Sequence, residues 1–209
     1  MNFRRLGSAV TLFLLFSGLA SANSLGLTLL TWPDIGVGGI GVNYNAATHL
    51  LTANGFAFNY NAIYAINGSQ PNTSGTFQLS ASIDNQGVLH GGTVNIAGNI
   101  PGIGAPGAGP TLLAGDLFQF GFPNAGGDPF EFRFYHLTGT LASTYQQHQG
   151  GVSAIITMYG TDFPGNFQQD FSNTPFGGMA DVGVPEPASA GLMLTAGVLF
   201  IGLYRFRRV

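Results

Sequence analysis

The residues that could perform acid–base, nucleophilic or metal chemistry are few and scattered along this sequence of 209 residues. The chain has no Cys and four His residues, His49, His90, His136 and His148. No two His residues have H-x-H or H-E-x-x-H spacing, and no G-x-S-x-G motif presents a serine nucleophile. Catalysis needs a nucleophile with a base, paired carboxylates or a metal centre. The sequence therefore predicts no catalytic site.

Calcium is the one cofactor for which the sequence offers ligands. Ca²⁺ takes carboxylate and carbonyl oxygens, and loops rich in Asp, Asn and Gly supply both. Three pairs offer such oxygens: Asp128 with Glu131, Asp162 with Asn166, and Asp84 with Asn85. None of the pairs stands in an EF-hand pattern. Calcium binding therefore stays open beside the alternative of ordinary solvated loops, and we expect no other cofactor.

Neighbouring aromatic and amide side chains could instead recognise a sugar. The segment Phe58-Asn59-Tyr60-Asn61, with Tyr64 beyond it, joins rings that stack on apolar sugar faces to amides that bond hydroxyl groups. The same pattern is also typical of solvent-facing β-strands. The sequence leaves both interpretations open.

The elements that would carry these residues are predicted to be β-strands. Apolar residues alternate with polar ones in four segments, and such alternation turns one face of a strand to a core and the other to water. The apolar positions are Phe56, Phe58 and Tyr60; Phe77, Leu79, Ala81 and Ile83; Phe130, Phe132 and Phe134; and Val152, Ala154, Ile156 and Met158. We find no convincing helical period between residues 23 and 184.

Turn residues separate the predicted strands. Asp84-Asn85-Gln86-Gly87 predicts a hairpin connection, and the segments 67–72, 98–110 and 123–129 predict loops rich in Gly, Pro and Asn. Strands that recur every 10–20 residues favour an antiparallel β-sandwich or barrel-like domain. No fixed-period repeat supports a β-solenoid, which remains the lesser alternative.

Charge is scarce and unevenly distributed. The chain has six Arg or Lys and nine Asp or Glu residues. All six basic residues are Arg, and five of them lie near the two ends, whereas residues 23–184 contain Arg133 against eight acidic residues. A nucleic-acid binder would need a basic surface to neutralise phosphates, so we expect no nucleic-acid partner.

The N-terminal 22 residues have the pattern of a signal peptide. Arg4 and Arg5 form a positive region, an apolar run follows from Val10 to Leu19, and Ala20-Ser21-Ala22 is a small-residue cleavage signature. The apolar run is too short to span about 30 Å of hydrocarbon. We therefore predict that signal peptidase cleaves between Ala22 and Asn23 and that residues 23–184 form an exported all-β domain.

The C-terminal 25 residues have the pattern of a membrane anchor. Residues 188–204 are uncharged and mostly apolar, and Arg205, Arg207 and Arg208 follow them. A helix of this length spans about 25 Å, and the Arg cluster would stay in the cytoplasm. Ahead of the predicted helix, Pro185-Glu186-Pro187 holds the backbone extended.

This three-part arrangement resembles the PEP-CTERM sorting signal of Gram-negative bacteria. The resemblance covers residues 185–209 and rests on Pro185-Glu186-Pro187, the apolar segment and Arg205, Arg207 and Arg208. It implies processing by exosortase, an integral-membrane cysteine protease thought to cleave near the Pro-Glu-Pro element. It also implies a link to exopolysaccharide and the biofilm matrix.

These observations lead to one functional expectation and two alternatives. We expect a non-enzymatic protein that is exported through the inner membrane and is held briefly by its C-terminal helix with the domain on the periplasmic side. Processing would then place it on the cell surface or in the extracellular matrix. The alternatives are a carbohydrate-binding or adhesive β module, whose partner would be an extracellular polysaccharide, and a secreted polysaccharide hydrolase using Asp128 and Glu131.

Overall fold

The computed structural model describes residues 24–27, 29–68, 73–101, 110–147, 153–174 and 176–185. In these ranges the chain forms ten β-strands and one short helix, α1 (Ala142–Gln147). The strands are β1 (Leu29–Asn45), β2 (Leu50–Tyr60), β3 (Tyr64–Ala65), β4 (Thr76–Ile83), β5 (Leu89–Ala97), β6 (Thr111–Gly121), β7 (Phe130–Thr138), β8 (Ser153–Tyr159), β9 (Phe171–Ser172) and β10 (Gly178–Pro185).

The sheet closes on itself because β2 pairs with β4 on one side and with β1 on the other. Eight strands thus form a closed antiparallel barrel in the order β2-β4-β5-β6-β7-β8-β10-β1. The two-residue strands β3 and β9 lie beside β2 and β1. The prediction of a mainly β antiparallel domain is confirmed. Of the two predicted architectures, a sandwich and a barrel, the structure has the barrel.

Alternation correctly predicts the inner faces of β4 and β7. Phe77, Leu79, Ala81 and Ile83 are buried, and so are Phe130, Phe132 and Phe134. The predicted hairpin also connects β4 to β5: Asp84 Oδ1 accepts hydrogen bonds from the backbone N–H groups of Gln86 and Val88, and Gly87 has a φ of 83°. Glycine adopts this left-handed conformation without the steric penalty of a Cβ atom.

The predicted inner face of β2 is wrong for two of its three aromatic residues. Phe56 and Phe58 lie on the outside of the barrel, whereas Ala57 and Tyr60 are buried. The cause is a bulge, because Gly36 and Val37 of β1 pair with Asn59 and Ala57, which leaves Phe58 as an extra residue. A bulge of one residue reverses the faces of the side chains on one side of it.

The structure differs from the sequence-based expectation in two further places. The six-residue helix α1 interrupts a region predicted to have no helix, and its Tyr145 is fully buried with its hydroxyl donating to the carbonyl of Val182 at 2.8 Å. In β8 both faces are buried, not one, and only Tyr159 is exposed. Helix α1 is too short to show a helical period in the sequence. A strand that is buried on both faces, as β8 is, shows no alternation of apolar and polar residues.

Aromatic rings fill one end of the barrel interior. Phe130 at the start of β7 contacts Phe163, Phe167 and Phe171 from the segment between β8 and β10, at ring-centroid distances of 5.1–6.2 Å. Tyr44 joins this cluster through Phe167 and Phe171, and its hydroxyl donates to the carbonyl of Ile83 at 2.9 Å. The interior is therefore a packed core at this end.

The predicted signal helix and the predicted C-terminal helix, residues 1–22 and 188–204, lie outside the described residues. Among the residues that are described, no helix is long and apolar enough to cross a membrane.

Candidate functional site

The chain enters and leaves the barrel wall at neighbouring positions. Leu29, near the beginning of the described chain, pairs with Pro185, the last residue of β10. Val184 beside it is buried. Pro185 is thus both the first residue of the predicted sorting motif and a part of the barrel wall. The other predicted processing residues, Ala20, Ala22, Asn23, Glu186, Pro187, Arg205, Arg207 and Arg208, lie outside the described residues.

Glu131 attaches the N-terminal segment to the barrel. Its carboxylate, which is buried, accepts hydrogen bonds from the Ser24 hydroxyl at 2.6 Å and from the backbone N–H groups of Gly26 and Leu27 at 3.1 Å. The side chain of Leu29 lies against Gly183 of β10. The described residues 24–27 and 29 are therefore attached to the outer faces of β7 and β10, the two strands that flank β8, in which Ile155 is fully buried.

The three carboxylates proposed as calcium ligands bind separate parts of the chain. Asp128 accepts hydrogen bonds from the backbone N–H groups of Gly160 and Thr161 and from the Thr161 hydroxyl, at 2.7–3.0 Å. Asp162 accepts one from the Thr174 N–H at 3.1 Å, and Glu131 holds the N-terminal segment. Within the described ranges no three His, Asp or Glu side chains group together to hold a metal.

Two of the four His residues have a carboxylate partner that sequence reasoning missed. His90 Nε2 lies 2.9 Å from Asp84 Oδ2, and His136 Nδ1 lies 2.9 Å from Asp116 Oδ2. The hydrogen bond from His90 lowers the pKa of Asp84 below its ordinary value. The first pair could have been found from the hairpin, since Ile83 and Leu89 are paired across it. Both His side chains are exposed, so these are surface contacts.

Asp34 and Asp181 form a pair of like charges where β1 and β10 run side by side. Desolvation and the nearby Asp181 carboxylate raise the pKa of Asp34 from 3.8 to about 6. Desolvation also raises the pKa of Asp181. The folded protein holds the Asp34 proton more tightly than the unfolded chain does. The contribution of Asp34 to stability is therefore fully present below about pH 4 and is lost as the pH rises to about 6.

We therefore expect Asp34→Asn to flatten the dependence of stability on pH. An amide resembles the protonated carboxyl, so the variant should have the same free energy of unfolding as the wild type at pH 4. At pH 7 its free energy of unfolding should be higher by about 1 kcal/mol, a value that allows for solvent screening of this half-exposed group. Urea unfolding at pH 4, 5, 6 and 7 measures this difference. Equal slopes of stability against pH in the two proteins would contradict the assignment.

A row of exposed apolar side chains crosses the outside of four neighbouring strands. Tyr159 of β8 pairs with Met179 of β10, Met179 with Gly38 of β1, and Gly38 with Phe56 of β2. The ring of Phe176 lies nearly parallel to that of Phe56, with 6.2 Å between centroids. We call the exposed residues of this row, with Phe58, the aromatic stripe: Phe56, Phe58, Tyr159, Phe176 and Met179.

Glycines in β1 allow these rings to lie against the strand. A Cβ at Gly39 would lie 3.1 Å from Phe56 and 3.5 Å from Phe176, and a Cβ at Gly36 would lie 3.1 Å from Phe58. The two separations of 3.1 Å are tighter than most carbon contacts, whereas 3.5 Å is an ordinary van der Waals contact. The glycine run in β1 is therefore matched to the aromatic rings that cover it.

Asn173 positions the loop that carries Phe176. Its buried side-chain amide donates to the carbonyls of Ile40 and Gly160 at 2.9 and 2.7 Å, and its oxygen accepts from the Val42 N–H at 2.8 Å. Two of these bonds satisfy the carbonyl of Ile40 and the N–H of Val42 in β1. These groups lie where the pairing of β1 with β10 has ended and its pairing with β9 has not yet begun. The loop is thereby fixed to the barrel wall.

A surface groove lies between the aromatic stripe and the outer faces of β2 and β4. Its outward-facing residues are Phe56 and Phe176, over Gly39, with Asn54, Thr76 and Gln78. Asn54 and Gln78 are paired across the two strands, and Gln78 is paired with Asn95 of β5. The side-chain amides of Asn54 and Gln78 make no hydrogen bond to any other residue that the structure describes. Both are therefore available to a ligand.

The sugar-binding set suggested by the sequence does not form one surface. Tyr60 points into the core, with its ring 6.3 Å from that of the exposed Tyr64. Asn59 and Asn61 accept hydrogen bonds from the backbone N–H groups of Gly36 and Asp34. Phe58 alone of the four residues 58–61 belongs to the aromatic stripe. The groove residues were missed because Phe176 is far from Phe56 in the sequence.

Comparison with known proteins adds no relative: no protein-family model, curated protein or solved structure matches this chain.

Proposed function

We propose that this protein is a non-enzymatic component of the cell surface or extracellular matrix that is exported and then released from a C-terminal sorting signal. The observation that carries the proposal is that described residues next to both predicted processing sites are attached to the barrel. Ser24, hydrogen-bonded to Glu131, is the second residue after the predicted signal-peptidase site. Pro185, paired with Leu29, opens the Pro-Glu-Pro element.

The position of Pro185 has a consequence for processing. Because Pro185 is a strand residue of the barrel, cleavage after it would remove the predicted membrane helix and leave every residue of β10 in place. A protease acting there would have to work next to the folded barrel wall. The proposed partners are therefore signal peptidase at the N-terminal site and exosortase at Pro185-Glu186-Pro187, with the membrane as a temporary anchor.

The sorting signal can be tested with Glu186→Ala/Pro187→Ala, which leaves the strand residue Pro185 in place. We expect wild-type protein in the surface or extracellular fraction of the producing cells, shortened at its C-terminus. The variant should accumulate in the inner-membrane fraction with Val209 still present. Immunoblotting of fractionated cells measures both outcomes.

A matched control replaces two exposed residues of the barrel domain, Pro164→Ala/Gln169→Ala. This control should be processed and distributed as the wild type is. Wild-type localisation and length in the Glu186→Ala/Pro187→Ala variant would refute the sorting proposal.

A further inference from the structure

We propose that the aromatic stripe and the adjoining groove bind an uncharged polysaccharide. This goes beyond export and sorting, since it assigns a ligand to the barrel itself. The described residues of the site bring apolar faces, solvent-exposed amides and an uncharged lining together in one place. Each of these features selects against a different class of ligand.

The exposed rings provide the apolar part of the site. Phe56 is 48% exposed and Phe176 is 69% exposed, although both are large aromatic side chains. Their nearly parallel planes, inclined by 17°, present a flat surface above Gly39. Clustered exposed apolar groups of this kind mark interaction sites. The C–H faces of a pyranose ring fit such a surface.

The amide side chains select for a hydroxyl-rich ligand. Asn54 and Gln78 stand side by side at the edge of the rings, and each carries two N–H donors and one acceptor oxygen. A purely apolar partner would strip water from these amides without replacing the hydrogen bonds, which is unfavourable. Sugar hydroxyls both donate and accept, and they lie at the rim of the same pyranose ring whose face is apolar.

Charge selects a neutral polymer over an anionic one. None of the described residues that line the groove is charged. The barrel domain as a whole has one Arg against eight acidic residues, so its field repels polyanions such as uronic acid polymers. An anionic polysaccharide would find no guanidinium or ammonium group among the residues of this groove that the structure describes.

The length of the stripe favours a chain over a single sugar. From Tyr159 to Phe56 it crosses three strand spacings, or roughly 14 Å. A second row of hydroxyl side chains, Thr52, Ser80 and Thr93, runs across β2, β4 and β5 beside Asn54 and Gln78. This surface accommodates several consecutive sugar units.

The test uses protein purified from the producing cells and four probes: dextran, laminarin and galactomannan as neutral polysaccharides, and alginate as the anionic one. Affinity electrophoresis and calorimetry measure binding. We expect binding to at least one neutral probe and none to alginate. Phe56→Ala/Phe176→Ala should weaken binding about tenfold or more, the scale of losing aromatic contacts.

Two further variants separate binding from folding. Asn54→Ala/Gln78→Ala removes the amides and should also weaken binding, whereas Phe118→Ala removes a similarly exposed ring from β6 and should not. Circular dichroism and thermal unfolding check each fold, and if the Phe double variant misfolds, the amide variant decides. Failure of every neutral probe to bind, or wild-type affinity in the groove variants, would overturn the proposal. So would a wild-type dimer that the Phe56→Ala/Phe176→Ala substitution dissociates without changing polysaccharide affinity.

Discussion

Phe130→Ala should lower the free energy of unfolding by about 3–5 kcal/mol, the range measured when a buried Phe is truncated to Ala. Phe130 is fully buried and contacts five other Phe rings, from β6, β7 and the segment between β8 and β10. Truncation leaves a cavity where these elements meet. Since domains are typically stable by about 5–15 kcal/mol, this loss would be a large part of the total.

Urea unfolding measures the effect, and the midpoint should fall with little change in the slope. Phe118→Ala is the matched control, because Phe118 is 45% exposed and should change stability by less than about 1 kcal/mol. Phe130→Leu, which retains most of the apolar volume, should lie between the two. Similar midpoints for Phe130→Ala and Phe118→Ala would show that the aromatic cluster does not form the core at this end of the barrel.

Glu131→Gln should destabilise the protein by about 2–4 kcal/mol and release the N-terminal segment. The buried carboxylate accepts three hydrogen bonds, from Ser24, Gly26 and Leu27, and a hydrogen bond to a charged group contributes a net of about 1.5–3 kcal/mol. An amide of the same size offers one acceptor oxygen in place of two and turns a donor toward the N–H groups.

Hydrogen exchange at Gly26 and Leu27, together with urea unfolding, measures both parts of this effect. Ser24→Ala is the matched control: it removes one donor and keeps the carboxylate, so it should cost about 1 kcal/mol. A Glu131→Gln protein with wild-type stability and slow exchange at these two amides would disprove the role of Glu131.

Sequence patterns predicted the inner faces of strands in which apolar residues recur at every second position. In β4 and β7 the inward residues follow the two-residue period, and Asp84 and Gly87 place the turn between β4 and β5. These features depend on residues close in sequence. They could therefore be inferred without knowing which distant strands pair.

Features that depend on distant pairing could not be inferred. The faces of Phe56 and Phe58 are set by a bulge whose position depends on the glycines of β1. In β8 both faces are buried, and residues 24–27 and 29, distant in sequence, are attached to its two neighbours β7 and β10. Closure into a barrel depends on the pairing of β1 with both β2 and β10.

The candidate site shows the same division. The predicted carboxylates Asp128, Glu131 and Asp162 are in ordered, hydrogen-bonded positions, but each stabilises a different connection of the chain. The groove could not be predicted, because Phe176 meets Phe56 only after β1, β2 and β10 come together. Individual polar residues could be identified from the sequence. Which residues lie together on the surface could be seen only once the fold was known.

Export and sorting are tested most directly by the intact mass and terminal sequence of the wild-type protein recovered from the surface or medium of the producing cells. We expect a chain that begins at Asn23 and ends within or beside Pro185-Glu186-Pro187, without the Arg cluster. A recovered chain that still begins at Met1, or that still ends at Val209, would contradict this expectation.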